Sequence, residues 1–401
     1  MHAKVLSSPS PASAGVLPIN SRVVGFAGVV VTVLAIYLSQ TTGWRSVALM
    51  LVGLGAGWVL YHASFGFGGA WRNTMRSGKG AGLRVQMLML AVTALVFIPL
   101  ISQGEIFGFG LRGNVSPLSV SLVGGAFLFG IGMQLGGACA SGTLYTVGGG
   151  STRMVVTLIA FIAGSALGAW HFDEWQTLPS LGTFSMLERL GPLGATLATL
   201  ALAGAFWALA AAVERHRQDG VLYQTWKPLE GSSWLKGPWP LLAGALGLAL
   251  VNIATLLLAG RPWGITSGFA LWGSKIFAAF GPDVAAWPYW QQPSRAPSLA
   301  GSVLEDITSV MNFGILLGAL MAAGIAGRFA PVWRLPARSL LAAVIGGLLL
   351  GYGARLAYGC NIGAFFGGVA SASLHGWVWF VVAFIGNGVG MRLRPLFRLD
   401  G

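Results

Sequence analysis

Gly351-Tyr352-Gly353-Ala354-Arg355-Leu356-Ala357-Tyr358-Gly359-Cys360-Asn361-Ile362-Gly363 contains one of only two cysteines in a chain of 401 residues. The other lies in Gly130-Ile131-Gly132-Met133-Gln134-Leu135-Gly136-Gly137-Ala138-Cys139-Ala140-Ser141-Gly142. Both stretches share the spacing from first glycine to cysteine and from cysteine to the next glycine. Slid by 221 positions, Gly125, Leu128, Gly130, Gly132, Leu135, Cys139 and Gly142 fall on Gly346, Leu349, Gly351, Gly353, Leu356, Cys360 and Gly363. With 61 glycines in the chain some matches come free, but two lone cysteines in register do not. Farther on, Gly164 and Gly168 fall on Gly386 and Gly390 after one inserted residue. The sequence therefore reads as an internal repeat that brings the two cysteines together.

Composition says in what medium. The chain is 55% hydrophobic and 9% charged, with a mean hydropathy of +0.73, whereas soluble domains carry roughly 25% charged residues. An integral membrane protein in a lipid bilayer follows. The formal charge of +13 is spread in short basic clusters between apolar runs, as in cytoplasmic loops, so no nucleic-acid partner is expected. Two cysteines make neither a disulfide framework nor a CxxC metal pattern. The five histidines are not at metal-ligand spacing. No cofactor, metal or enzymatic activity is expected.

Apolar runs of spanning length, about 20 residues, cover 23–41, 46–64, 84–102, 117–135, 153–170, 190–213, 238–259, 308–328, 338–356 and 374–391. Four Gly-rich apolar segments are too short to span: 65–80, 136–150, 263–279 and 357–371. They read as loops or re-entrant half-helices, since irregular backbone at membrane depth survives only inside protein or along a cavity. The expected fold is an all-α polytopic membrane protein with about ten transmembrane helices. Residues 1–22 read as a disordered cytoplasmic lead, 23–213 as a first membrane half, 214–237 as a cytoplasmic linker and 238–401 as a second half. Lys and Arg fall mostly on the side of the termini, which places both termini in the cytoplasm. Counted this way, 117–135 runs inward and 338–356 outward. The repeats are then inverted and pseudosymmetric, which places a substrate site near the midplane where the halves meet. Tryptophans near run ends, among them Trp44, Trp234, Trp290, Trp333 and Trp377, read as interfacial anchors.

Gly137 and Ala138 before Cys139, and Gly359 before Cys360, leave room for a solute to approach each sulfur. A half-helix starting at each cysteine would aim free N–H groups and a positive dipole end at that solute, which favours an anion. Arg355 occupies the repeat position of Gln134. It either attracts an anion toward the pore, or snorkels to the interface or pairs with Glu305 or Asp306. Asn361 either donates its amide to an oxyanion or caps the half-helix. A neutral thiol would bind a sulfur-bearing anion weakly and release it, as conduction requires. A thiolate with a resolving partner would instead serve redox chemistry, and a membrane-embedded thiol redox or sulfur/selenium-handling protein is the alternative reading.

The Cys360 stretch, continued through Ala364-Phe365-Phe366 and Ser373-Leu374-His375-Gly376-Trp377, resembles the YeeE/YedE family of sulfur-transport membrane proteins. The Cys139 stretch is similar to that family's other cysteine motif. The resemblance implies an hourglass of two halves with short re-entrant helices in the bacterial inner membrane. It implies uptake of thiosulfate, or another sulfur or selenium anion, relayed by thiols, and a soluble TusA-like sulfur carrier as partner. Phe65-Gly66-Phe67 departs from the pattern. The resemblance implies a third cysteine where Gly66 stands; without it the chain would carry a different sulfur or selenium species, conduct more slowly, or use water and backbone at Gly66.

Overall fold

The computed structural model describes residues 17–106, 108–228 and 231–399. Up to residue 16 the expected lead lies outside the described residues. Asn20 then caps α1 (Ser21–Thr41), its Oδ1 accepting from Val23 N at 3.3 Å. Among the described residues ten helices are long and apolar enough to cross a membrane, and they follow the ten apolar runs. In chain order α1 is followed by α2 (Trp44–Ala63), the short α3 (Phe67–Ser77), α4 (Ala81–Gln103), α5 (Val120–Gly136), the short α6 (Ala140–Gly148) and α7 (Thr152–Trp170). After α8 (Phe172–Gln176) come the long α9 (Met186–Arg217), α10 (Leu241–Ala259), the short α11 (Thr266–Ala279), and the small α12 (Pro288–Gln291) and α13 (Ala296–Ala300). The chain ends with α14 (Ile307–Ile325), α15 (Ala337–Leu356), a π-helix (Asn361–Gly367) running into α16 (Gly368–Ala370), and α17 (Leu374–Leu393). Two antiparallel strand pairs, β1 (Glu105–Ile106) with β2 (Phe109–Gly110) and β3 (Pro117–Ser119) with β4 (Ser180–Thr183), tie connections at one end.

The four segments too short to span become α3, α6, α11 and the π-helix with α16. Each is broken from the preceding long helix by residues that cannot continue it. Gly137 closes α5 with φ 100°, in the left-handed region that only glycine enters at little cost.

Glycines set the packing. α5 lies across α15; α7 packs on α15, and α17 packs on α5. Gly164 meets the carbonyl of Leu348, and Gly386 meets that of Phe127; Phe127 and Leu348 are themselves 221 positions apart. Gly168 lies on Tyr352 and Gly390 on Ile131, again equivalent positions. A Cβ on Gly125 would lie 2.6 Å from the Gly353 carbonyl oxygen, and one on Gly353 would lie 2.5 Å from that of Gly125. The repeat spacing is thus the spacing at which two helix backbones touch, as small residues permit in membranes.

The connection expected over 214–237 begins later. Glu214 to Arg217 finish α9, because Glu214 is fully buried and pairs with Arg84 of α4 at 2.8 Å. Arg84 also donates to the Tyr223 carbonyl at 2.7 Å, so the ion pair anchors the chain that follows α9. Trp44, Trp234 and Trp333 are exposed as interfacial residues should be, but Trp290 and Trp377 are buried. Trp377 stacks on Phe206 and Trp290 bonds Ser274, so both serve the core instead.

Gly353→Leu is expected to overpack the α5–α15 crossing, costing about 1–3 kcal/mol or more, and to abolish the monodisperse peak in detergent size exclusion. Gly28→Leu, with nothing within 4 Å of its Cβ position, should elute as wild type.

Candidate functional site

Cys139 and Cys360 occupy the same local geometry. Each is extended (φ −79°, ψ −173° and φ −113°, ψ −167°) and each is the N-cap of its short helix, α6 and the π-helix. Gly359, at φ 151°, makes the turn that admits Cys360. The first amides of a helix have no partner within it, so they face the sulfur. The Gly142 amide and, from the start of α3, the Phe67 amide face Cys139, whose Sγ lies 3.4 Å from Ser141 Oγ. The Ile362 and Gly363 amides face Cys360. The two side chains are in electrostatic reach of each other, each 1% exposed. An aromatic wall backs them: Phe365 stacks on Phe380 at 4.8 Å and on Trp379 at 6.3 Å, with Phe67 and Trp71 edge-on.

Two cavities approach the thiols. The first, about 630 Å³, is lined by Gly66, Gly137, Ala138 and Cys139, with Lys79 and Lys227. The second, about 680 Å³, is lined by Arg112, Arg261, Arg295 and Arg355, with Tyr289, Tyr358 and Gly363. Leu241, the first residue of α10, lines the first cavity and Ala259, its last, lines the second. The cavities therefore open at opposite ends of a helix about 28 Å long. Cys139 lines one, and Gly363, three residues after Cys360, lines the other.

Of the residues singled out in the sequence, Cys139, Gly137, Ala138 and Gly66 share the first cavity, and Arg355 belongs to the second. Cys360, Gly359 and Asn361 line neither and lie in the protein between them. Asn361 is fully buried, and neither its Oδ1 nor its Nδ2 has a hydrogen-bond partner. Its expected alternative as a helix cap is not what the geometry gives, since Cys360 takes the cap position. Arg355, 6% exposed, donates to Tyr289 OH at 2.6 Å and leaves its Nε without a partner. Glu305 accepts from Ser302 N and Asp306 from Ser309, so neither is the partner expected for Arg355. At Gly66 a Cβ would meet nothing within 4 Å, so the position has room for a side chain at the cavity wall.

Sequence reasoning missed Arg112, Arg261 and Arg295, reading them as ordinary loop charges. They come from three separate connections, and no local motif joins them. Asp306 is the one acid among the described residues lining the second cavity, and it caps α14. The crowding has an electrostatic signature. Burial lowers the pKa of Arg295 from its ordinary value; Tyr289 opposes this, and the neighbouring Arg355 charge adds to it. An anion entering this cavity would relieve both.

Residues 62–389 match the model of the sulphur transport family. The chain belongs to that family. It is 30% identical over 356 residues to the thiosulfate transporter TsuA of Spirochaeta thermophila, an alignment covering 84% of this chain and 96% of that protein. It is 23% identical over 354 residues to TsuA of Escherichia coli, covering 84% and 91%. The probable transporter YedE of Escherichia coli is 32% identical over 171 residues, 42% of this chain; the match spans only 41% of the length of YedE.

In a Cys139→Ala/Cys360→Ala background, Gly66→Cys and Gly363→Cys are expected to react with a membrane-impermeant maleimide from opposite faces of sealed vesicles. Labelling of both from one face would contradict the two-cavity geometry.

Proposed function

We propose that the chain is a permease of the bacterial inner membrane that takes up thiosulfate or a related sulfur-containing anion. The observation that carries this reading is the pair of cation-lined cavities at opposite ends of α10, with two helix-capping thiols between them. Family membership and the two TsuA relatives supply the substrate class. The positive-inside distribution supports a cytoplasmic first cavity and cytoplasmic termini, and the two halves are read as inverted repeats. Exchange of equivalent helices in the packing supports the repeat; its inversion rests on the count of spans between the two copies.

The anion enters the second cavity, where Arg112, Arg261, Arg295 and Arg355 offset the loss of its hydration. It then passes the Ile362 and Gly363 amides, the Asn361 amide and the Cys360 thiol. Phe67, Gly142 and Cys139 receive it on the other side. Each thiol donates a weak S–H hydrogen bond to the anion, and weak sequential sites let it leave. No bond is made to sulfur. At Gly66 the backbone and cavity water take the place of a further side chain. A TusA-like carrier would collect the anion from the first cavity, whose lining includes Tyr223, Lys227 and Trp239.

The test is radiolabelled thiosulfate uptake in a strain lacking its own importers. Cys139→Ala and Cys360→Ala should each lower the initial rate by about tenfold or more, a barrier change of ~1.4 kcal/mol, at equal membrane abundance. Wild-type uptake in Cys360→Ala would remove the thiols from the path. A Cys139–Cys360 disulfide or a persulfide detected by mass spectrometry during turnover would favour redox chemistry over conduction.

A further inference from the structure

The two short helices that the thiols cap are not alike. α6 is an ordinary α-helix, whereas residues Asn361–Gly367 form a π-helix. π-Helical turns are rare and concentrate at functional sites. Here the Cys360 carbonyl is shared, accepting from Ala364 N at 2.9 Å and from Phe365 N at 3.3 Å. These are the α and the π partner of the same oxygen. The segment is flanked by left-handed joints at non-glycine residues, Tyr358 (φ 58°) and Ala372 (φ 55°).

The repeat provides an internal comparison. In the first half the Gly142 carbonyl accepts from Thr146 Oγ1 of its own helix at 2.6 Å. Slid by 221 positions, Gly142 falls on Gly363 and Thr146 on Gly367, which has no side chain to offer. The Gly363 carbonyl instead accepts from Asn114 Nδ2, also at 2.6 Å. Asn114 belongs to the connection between α4 and α5, in the other half of the chain. That connection is itself held: Ser371 Oγ accepts from Asn114 N at 2.9 Å, and the Arg112 amide donates to the Gly260 carbonyl at 2.8 Å.

We propose that Asn114 is a positioning residue: by donating across the two halves to Gly363, it holds the Cys360 helix in its π register and so fixes where the thiol points. A side chain entering the backbone ladder from outside is a recognised cause of such local distortion. Without it the segment relaxes toward the α register. One residue of rewinding turns the helix start by about 100° and shifts it by about 1.5 Å, which re-aims Cys360 relative to Cys139. Asn114 and Gly363 both line the second cavity, so the tie sits where an entering anion would arrive. The inference deepens the proposed conduction path and rests on it for its functional meaning, but its test reads thiol position and needs no transport.

The full chain carrying Cys139→Ala is reconstituted in liposomes, and the rate of Cys360 modification by N-ethylmaleimide is measured. Asn114→Ala and Asn114→Asp, the second keeping the size but not the donor, should each change that rate by about fivefold or more, the population shift one net hydrogen bond supports. Adding Gly367→Ser to Asn114→Ala supplies a hydroxyl to Gly363 from within the helix, as Thr146 does for Gly142. It satisfies the carbonyl without tying the halves, so the altered rate should persist. An unchanged rate in the folded single variants would overturn the proposal. So would full restoration by Gly367→Ser, which would reduce the bond to carbonyl satisfaction. Failure of both single variants to fold would assign the bond to stability alone and overturn the positioning role.

Discussion

Backbone that leaves a helix at membrane depth exposes N–H and C=O groups that lipid cannot satisfy, each at a cost of several kcal/mol. The chain breaks its helices at Gly137–Cys139 and at Tyr358–Cys360, so the surrounding fold has to cover both breaks. The glycine crossings do that. Because α5 and α15 touch backbone to backbone at Gly125 and Gly353, the breaks that follow each helix are drawn into the centre of the protein. Arg153 completes the cover, donating to the Leu135 and Gly136 carbonyls at the end of α5 at 2.7 Å each. The helix starts left open are then the polar groups that the interior offers to a solute.

Much of this was legible. Apolar run length gave ten spans, because bilayer thickness leaves little freedom in that number. The short Gly-rich segments were legible as interruptions for the same reason. A short helix starting at each cysteine stands in the sequence only as a condition, since a loop fits the same residues; the structure supplies both starts. The ring of Arg112, Arg261, Arg295 and Arg355 was not legible, because only the tertiary fold gathers three connections and α15 around one cavity. Charge counting sees those arginines as orientation signals and is blind to their convergence. Glu214 escaped for a related reason. A charged residue at the end of an apolar run reads as the start of a loop, and only the partner on α4 reveals a buried pair. Trp290 and Trp377 were misplaced because an aromatic near a run end has the same sequence signature whether it faces lipid headgroups or a neighbouring helix.

The π register was also out of reach. Helix pitch depends here on a donor from a remote connection, and sequence periodicity over seven residues does not distinguish α from π. Asn361 illustrates the converse. Its type and place suggested a role beside Cys360, but that its amide is buried with no protein partner is a fact of packing. An unsatisfied buried amide typically costs about 1–3 kcal/mol, and the equivalent residue in the first half, Ala140, shows that the fold does not require a polar side chain there.

On the proposed reading the differences between the halves carry the direction of the molecule. The repeat builds one frame twice, with a glycine break, a capping thiol and a short helix in each copy. Onto that frame the first half places Gln134, Ala140 and Thr146 where the second places Arg355, Asn361 and Gly367. Gln134 is tied into the protein, donating to Asn387 at 2.6 Å and Gly68 at 3.1 Å, whereas Arg355 stands at a cavity. At these equivalent positions the second copy is therefore the more cationic and the less self-satisfied, and the first the more internally bonded. On the proposed reading an anion meets first the cavity lined by Arg112, Arg261, Arg295 and Arg355, which gains most from binding it, and then the copy whose side chains are the more fully bonded. A conductor of scarce anions needs that order: capture where the field is strong, release where the polar groups already have partners.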